Sequence, residues 1–310
     1  MARIEGSLLF VKRLWRDLKM NRTVYLMLLP IVVYYMLFHY GPMYGLQIAF
    51  KDFIPVKGFT GSPWVGFKYF EDFFGSVFFW RILKNTVLLS FYSLLFFFPS
   101  GILFALLLNE LRSNRLRRSV QTISYMPHFI SLVVVVGFMF DFLSRDGLIN
   151  DIIVFFGGEA ISFMRAQEWF RSIYIGSEIW QNIGWSSIIY LAAISNVNPT
   201  LYEAARMDGA NRWKQMRHVT LPGIMPTVTI MLILFIGKFM TVGFEKIILM
   251  YNPVIYETAD VIQTYVYRKG ILEANFSYSA AVGLFNAVLS FTLLILANVI
   301  AKRAGETKLW

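Results

Sequence analysis

Six stretches of this chain, near residues 24–46, 84–108, 120–143, 173–195, 222–246 and 280–301, are apolar over lengths that match a bilayer core, which takes about 20 residues of helix. In lipid every backbone N–H and C=O must be paired within the segment, so runs of this kind fold as spanning helices. Charged residues make up 15% of the chain and hydrophobic ones 57%, whereas about a quarter of a soluble domain is charged. The expected fold class is an all-α membrane protein with six transmembrane helices, residues 1–310 forming one transmembrane domain. Gly41-Pro42 predicts a kink or an end in the first helix, and Pro99-Ser100-Gly101 a bend in the second. Glu178, Gln181 and Asn182 interrupt the fourth, which must therefore turn a face to protein or water.

Basic residues fix a sidedness. About 17 of the 29 Lys and Arg lie before the first stretch, between the second and third, between the fourth and fifth, and after the sixth. Both termini and the loop 196–221 are expected on the cytoplasmic side. Three longer loops, 47–83, 144–172 and 247–279, then lie outside, and the net charge of +10 reflects membrane sidedness rather than a nucleic-acid partner. The first apolar segment is not followed by a small-residue cleavage site and reads as a retained anchor. There is no Cys, and His39, His128 and His218 have no metal-ligand spacing. No G-x-x-x-x-G-K-[S/T] loop is present, so this chain is expected to bind no ATP in the Walker manner, and no nucleophile or paired carboxylates point to catalysis.

Between the fourth and fifth stretches the chain reads EAARMDGANRWKQMRHVTLP over 203–222. The layout predicts a short surface helix over Tyr202 to Asn211, with small residues at Ala204, Ala205 and Ala210 that let another protein surface approach closely. Gly209 ends or bends it; if the loop couples to a partner, Asp208 would cap or brace the next turn and Glu203 would pair with a nearby basic group, a solvated charge near the helix N-terminus being the alternative for Glu203. Leu221-Pro222 restarts an apolar run, Pro being tolerated in a first helical turn.

The spacing Glu203-Ala204-Ala205, Gly209, Val219, Leu221-Pro222 resembles the cytoplasmic loop of bacterial ABC importer permeases, with Val219 where Ile is usual. Tyr40 to Phe50, Gly61 to Phe67 and Tyr251 to Glu257 resemble a narrower branch, the polysaccharide or aldouronate importers. The resemblance implies a type I permease of the carbohydrate-uptake class in a bacterial plasma membrane. It also implies a second homologous permease subunit, a dimer of ATP-binding subunits carrying Mg-ATP, and an extracytoplasmic solute-binding protein that delivers an oligosaccharide, uronate-containing ones included. The loop helix would carry ATP-driven motion to the spans.

Polar groups inside spans mark candidate path residues. In the fifth stretch these are Lys238, Glu245 and Lys246, with snorkelling of Lys238 to the outer surface as the competing role. In the fourth, Gln181, Asn182, Trp185 and Tyr190, with Trp180 and Ser186, combine ring faces with amides and hydroxyls that suit sugars; an interfacial aromatic belt is the alternative. His128 is expected to make structural hydrogen bonds, and Asn286 and Asn298 to join helices. The run around 261–266 predicts a short helix that, with loop 47–83, docks the delivery protein. A non-carbohydrate importer remains an alternative function. An ion-coupled carrier does too, although it would place carboxylates or unwound helices near the midplane.

Overall fold

The computed structural model describes residues 16–303 apart from residue 18. The basic residues in 1–15 and 304–310, on which part of the sidedness argument rests, lie outside the described residues. Contacts divide the chain into two units that meet between Tyr69 and Phe70.

The first unit is built on α1 (Arg22–Phe50), 29 residues long and exposed along all of residues 22–44. The helix does not stop at Gly41-Pro42. It runs through a π turn, Met36–Tyr40, in which the Gly41 N–H bonds to the Met36 carbonyl five residues back. Proline lacks an N–H and its ring collides with the carbonyl four residues earlier, so a widened turn just before it lets the helix continue. Beyond α1 the chain closes on itself: Lys51 bridges to Trp64, the Val65 N–H donates to the Phe50 carbonyl at 2.9 Å, and Phe50 stacks on Trp64 at 5.7 Å.

The second unit contains α2 (Phe79–Glu110), α3 (Asn114–Phe129), α4 (Leu132–Phe142), α5 (Phe170–Ser195), α6 (Pro199–Met207), α7 (Arg212–Gly237), α8 (Phe244–Met250), α9 (Ile262–Tyr267) and α10 (Phe276–Arg303). The same proline device recurs. The π turn Ser93–Phe97 precedes Pro99 and Met216–Thr220 precedes Pro222, whereas Pro30 and Pro226 sit in ordinary α turns. Among the described residues, four helices (α1, α2, α7 and α10) are long and apolar enough to cross a membrane, or five if α3 and α4 form one span.

Two expected spans need correction. Stretch 120–143 is not one straight helix: α3 and α4 meet at 98°, because Pro127 closes α3 in a tight turn and Ser131 starts a new helix by accepting the Val134 N–H. Stretch 222–246 starts ten residues earlier, at Arg212, and ends at Gly237, so Lys238 caps α7 while Glu245 and Lys246 belong to α8. Leu221-Pro222 therefore lies well inside a continuous helix rather than in a first turn. The fourth stretch forms α5, 26 residues long, with its polar groups set between two apolar clusters. Phe170, Tyr174 and Ile175 pack in the first of these clusters with Val135, Met139 and Ile247. Tyr190 and Ile194 pack in the second with Ile102, Ala105 and Ile224.

Lipid tails are as apolar as these side chains, so close packing rather than water exclusion holds such helices together. Gly184 shows how: a Cβ there would overlap the Ser124 carbonyl of α3. That absence of side chain brings α5 onto the α3 backbone and sets the middle of α5 against the α3–α4 break.

Candidate functional site

The connection from α5 to α7 is held by local chemistry at every turn. Asn198 caps α6, its side-chain oxygen accepting the Thr200 N–H at 3.0 Å, with Pro199 in the first position. At the other end Gly209 has φ +71°, the left-handed conformation that glycine adopts without penalty. The Ala210 N–H then reaches the Ala205 carbonyl at 2.9 Å and the Gly209 N–H the Arg206 carbonyl at 3.0 Å, the paired bonds of a Schellman ending. Asn211 starts α7 by accepting the Lys214 N–H at 2.9 Å.

This connection is also tied to its neighbours. The Tyr202 hydroxyl donates to Thr220 Oγ1 on α7 at 3.0 Å. Arg212 Nη1 donates to the Glu110 carbonyl of α2 at 3.1 Å and lies 3.5 Å from its carboxylate. Val197 packs so closely on Gly223 that a Cβ there would come within 2.8 Å of it, a contact that the sequence reading missed. Leu221 packs in the second apolar cluster and Pro222 is exposed.

α6 has two faces. Tyr202, Arg206 and Ala210, four residues apart, line a cavity with α2 and α7. Glu203 and Met207 are on another side and exposed, Met207 at 88%. Ala204 is exposed and Ala205 half-buried. Of the two roles open to Glu203, the solvated charge is the one seen, since among the described residues it is exposed and has no ionic partner; Asp208 makes no side-chain bond there, the brace coming from Asn211 instead.

The path candidates sort onto three cavities along α5. Gln181, Asn182 and Glu245 line one of about 340 Å³. Lys238 lines a second, of about 270 Å³, with Ser90, Ser93 and Glu178. Trp185, Tyr190 and Lys238 line the third, about 790 Å³, nearest α6. The first two share Tyr174, Glu178 and Thr241, and the last two share Phe235 and Lys238.

Inside this line the polar groups are held. Gln181 Nε2 donates to the Ile130 carbonyl at the α3–α4 break, at 3.2 Å, a carbonyl freed by the loss of helix there. His128 Nδ1 is 2.8 Å from Asn182 Oδ1, as expected of a structural histidine, and its ring stacks on Trp185 at 4.5 Å and 5°. Ser93 donates to the Glu178 carboxylate at 3.2 Å. Lys246 is buried, donating to the Tyr174 carbonyl at 3.0 Å and lying over the Tyr174 ring, so it anchors α8 to α5 while bordering the 340 Å³ cavity. Lys238 and Glu245 are exposed. Tyr190 is buried at 3% in the second apolar cluster. Among the described residues no group of His, Asp and Glu could hold a metal ion.

Apolar helices, an exposed loop helix bonded to one of them, and polar cavities strung along another define a membrane permease subunit that works with other chains. The chain belongs to the family of binding-protein-dependent transport system inner membrane components, whose pattern matches residues 97–306. It is 50% identical to the polygalacturonan/rhamnogalacturonan transport system permease protein YteP of Bacillus subtilis (strain 168), over 95% of this chain and 92% of that protein. It is 46% identical to protein LplB of the same organism, over 94% and 92%. It also superposes on a chain of the bacterial alginate ABC transporter solved in complex with alginate pentasaccharide-bound periplasmic protein. There the TM-score is 0.90 at 46% identity, over 96% of this chain and all of that one.

Proposed function

We propose that this protein is one permease subunit of an ATP-driven importer that moves an acidic oligosaccharide across the plasma membrane. In this reading residues 1–310 form one transmembrane domain of six spans, α3 and α4 together making the third and α5 the fourth, with both termini and α6 in the cytoplasm. A second homologous permease, a pair of ATP-binding subunits carrying Mg-ATP and an extracytoplasmic solute-binding protein complete the machine. The chain itself is non-catalytic.

The observation that carries the reading is the exposed face of α6, presented by a helix capped at both ends and bonded to α7, whose first residue is in turn bonded to α2. A partner subunit that pushes on this face moves a braced unit rather than a loose loop. Glu203, Ala204 and Met207 are the contact side. Gly209, Asn211, Leu221 and Pro222 keep the helix in place.

Acidic cargo is supported by the relatives, which handle polygalacturonan, rhamnogalacturonan or alginate by their names, and by Lys238, an exposed cation that borders two of the three cavities. Trp185 offers a ring for sugar C–H faces, with His128 stacked behind it. The test is ATP hydrolysis by the reconstituted assembly with solute-binding protein preloaded with acidic or neutral oligosaccharides. Stimulation by the acidic form supports the proposal; stimulation by neutral sugars alone reassigns the cargo, and indifference to every sugar removes the carbohydrate reading.

A further inference from the structure

The largest cavity along the α6 connection is not on the proposed sugar route. It holds about 970 Å³ between the ends of α2 and α5, the start of α3, α6 and the start of α7. Its walls carry four guanidinium groups, from Arg112, Arg117, Arg206 and Arg212, against the single carboxylate of Glu110. Only Arg212 pairs with that carboxylate, at 3.5 Å. Arg117 Nη2 donates to the Leu111 carbonyl at 3.1 Å and the Asn109 carbonyl at 3.4 Å, but its Nε is buried with no hydrogen-bond partner. Among the described residues Arg112 and Arg206 have neither hydrogen-bond nor ionic partners. Two of the four guanidinium groups are thus in place and unused, and Arg117 keeps a free Nε.

Guanidinium groups gathered on one cavity match the geometry of a phosphate, which accepts paired N–H bonds. A second feature selects the kind of phosphate. Leu103 and Leu107, at 59% and 65% exposure, lie on one face of α2, and Leu111, in the turn just past its end, lines the cavity. An apolar track therefore leads from the membrane-facing side of α2 to the basic site. The exposed side of α6 that would meet an ATP-binding partner points elsewhere, through Glu203 and Met207, so the cavity is not needed for that contact.

We infer that this cavity binds the phosphate headgroup of an anionic phospholipid of the inner leaflet, an acyl chain lying along Leu103 and Leu107. The inference rests on the cytoplasmic placement of α6 proposed above. Anionic lipid would then brace the α6 connection to α2 and α3 from behind, and the coupling of hydrolysis to transport would depend on lipid composition.

The experiment uses the assembled transporter in nanodiscs of phosphatidylcholine with or without phosphatidylglycerol, and reads retained lipid by native mass spectrometry after exchange into detergent. Arg112→Gln with Arg206→Gln is the first variant, since both side chains are exposed and hold no structural bond. Loss of roughly fivefold per guanidinium, about 25-fold for the pair, is expected for phosphatidylglycerol, with phosphatidylcholine unchanged. Leu107→Gln, which leaves the charges intact, should also weaken lipid retention. Equal retention by wild type and the arginine pair overturns the inference. So does displacement of the lipid by millimolar inorganic phosphate with no effect of Leu107→Gln, because the site would then serve a free anion. A Cys at Ser195 that reagents reach only after the ATP-binding subunits are stripped away overturns it too, since protein would fill the cavity. Sided labelling of a Cys at Ser113 checks the orientation separately: labelling from outside fails the topology, whatever the lipid result.

Discussion

Gly209→Ala tests whether α6 works as a braced unit. The backbone there has φ +71°, and a Cβ built on it meets nothing within 4 Å, so the substitution adds no clash and acts through conformation alone. A non-glycine residue held in the left-handed region costs roughly 1–2 kcal/mol, a factor of about 5–30 in population. The two bonds that close the helix, from the Ala210 N–H to Ala205 and from the Gly209 N–H to Arg206, require that conformation. Hydrogen exchange of the peptide spanning 205–215 should therefore quicken about 5- to 30-fold in Gly209→Ala, with exchange in α5 and α10 unchanged. Gly209→Asn, whose short polar side chain tolerates the left-handed region, should fall between. Coupled transport should follow the same order, glycine above asparagine above alanine, at equal amounts of assembled complex. Unchanged exchange in the alanine variant, or asparagine as damaging as alanine, would refute the conformational argument.

Further outcomes follow from the other contacts. Removing the His128 and Trp185 rings singly and together should give a coupling of about 0.5–1.5 kcal/mol in thermal unfolding, because the rings stack at 4.5 Å; additive losses would mean that they do not support each other. Lys238→Gln should raise the half-saturating concentration for an acidic oligosaccharide about fivefold, roughly 1 kcal/mol for a solvent-screened charge, and leave a neutral one alone; an equal shift for both would remove its proposed role. Asp260 is fully buried and takes Arg268 at 2.6 Å and Arg81 at 3.6 Å. Asp260→Ala strands Arg268, while Arg81 keeps Glu257 at 3.4 Å, and should destabilise by roughly 3 kcal/mol, the low end for a broken buried pair, read as a lower melting temperature of the purified complex.

What the sequence made legible is local. Apolar run lengths located the helices, and the run at 261–266 marked α9, because each depends on neighbouring residues. The α6 connection was readable in part: Gly209 ends the helix as its conformational freedom implied, but the helix runs Pro199–Met207 rather than Tyr202 to Asn211, because Asn198 starts it earlier and Asn211 already caps α7. The bend at Ile130 was not: a window of span length merged the polar end of α3 with the strongly apolar α4, while Pro127 and Ser131 redirect the chain between them. The start of α7 was hidden by its own polarity, Arg212 to His218 reading as loop although they form the first helical turns. The cavities were out of reach, because Ser93 meets Glu178 and His128 meets Asn182 across 85 and 54 positions of sequence.

The revised limits of α7 change how motion at the loop can reach the path. Had α7 begun at Pro222, a flexible segment would separate α6 from the membrane and absorb any push. Instead α7 is continuous from Arg212 to Gly237, 26 residues or about 39 Å at 1.5 Å per residue. Its start is bonded to Glu110 and its π turn to Tyr202. At its far end the helix stops at Lys238, and the Phe239 carbonyl is held by Ser90 of α2 beside the 270 Å³ cavity. A rigid rod pinned at the loop and ending at the cavity transmits displacement along its length, with the π turn before Pro222 as its softest point. The proline that the loop motif carries therefore sits where bending of α7 would decide how much of the motion arrives.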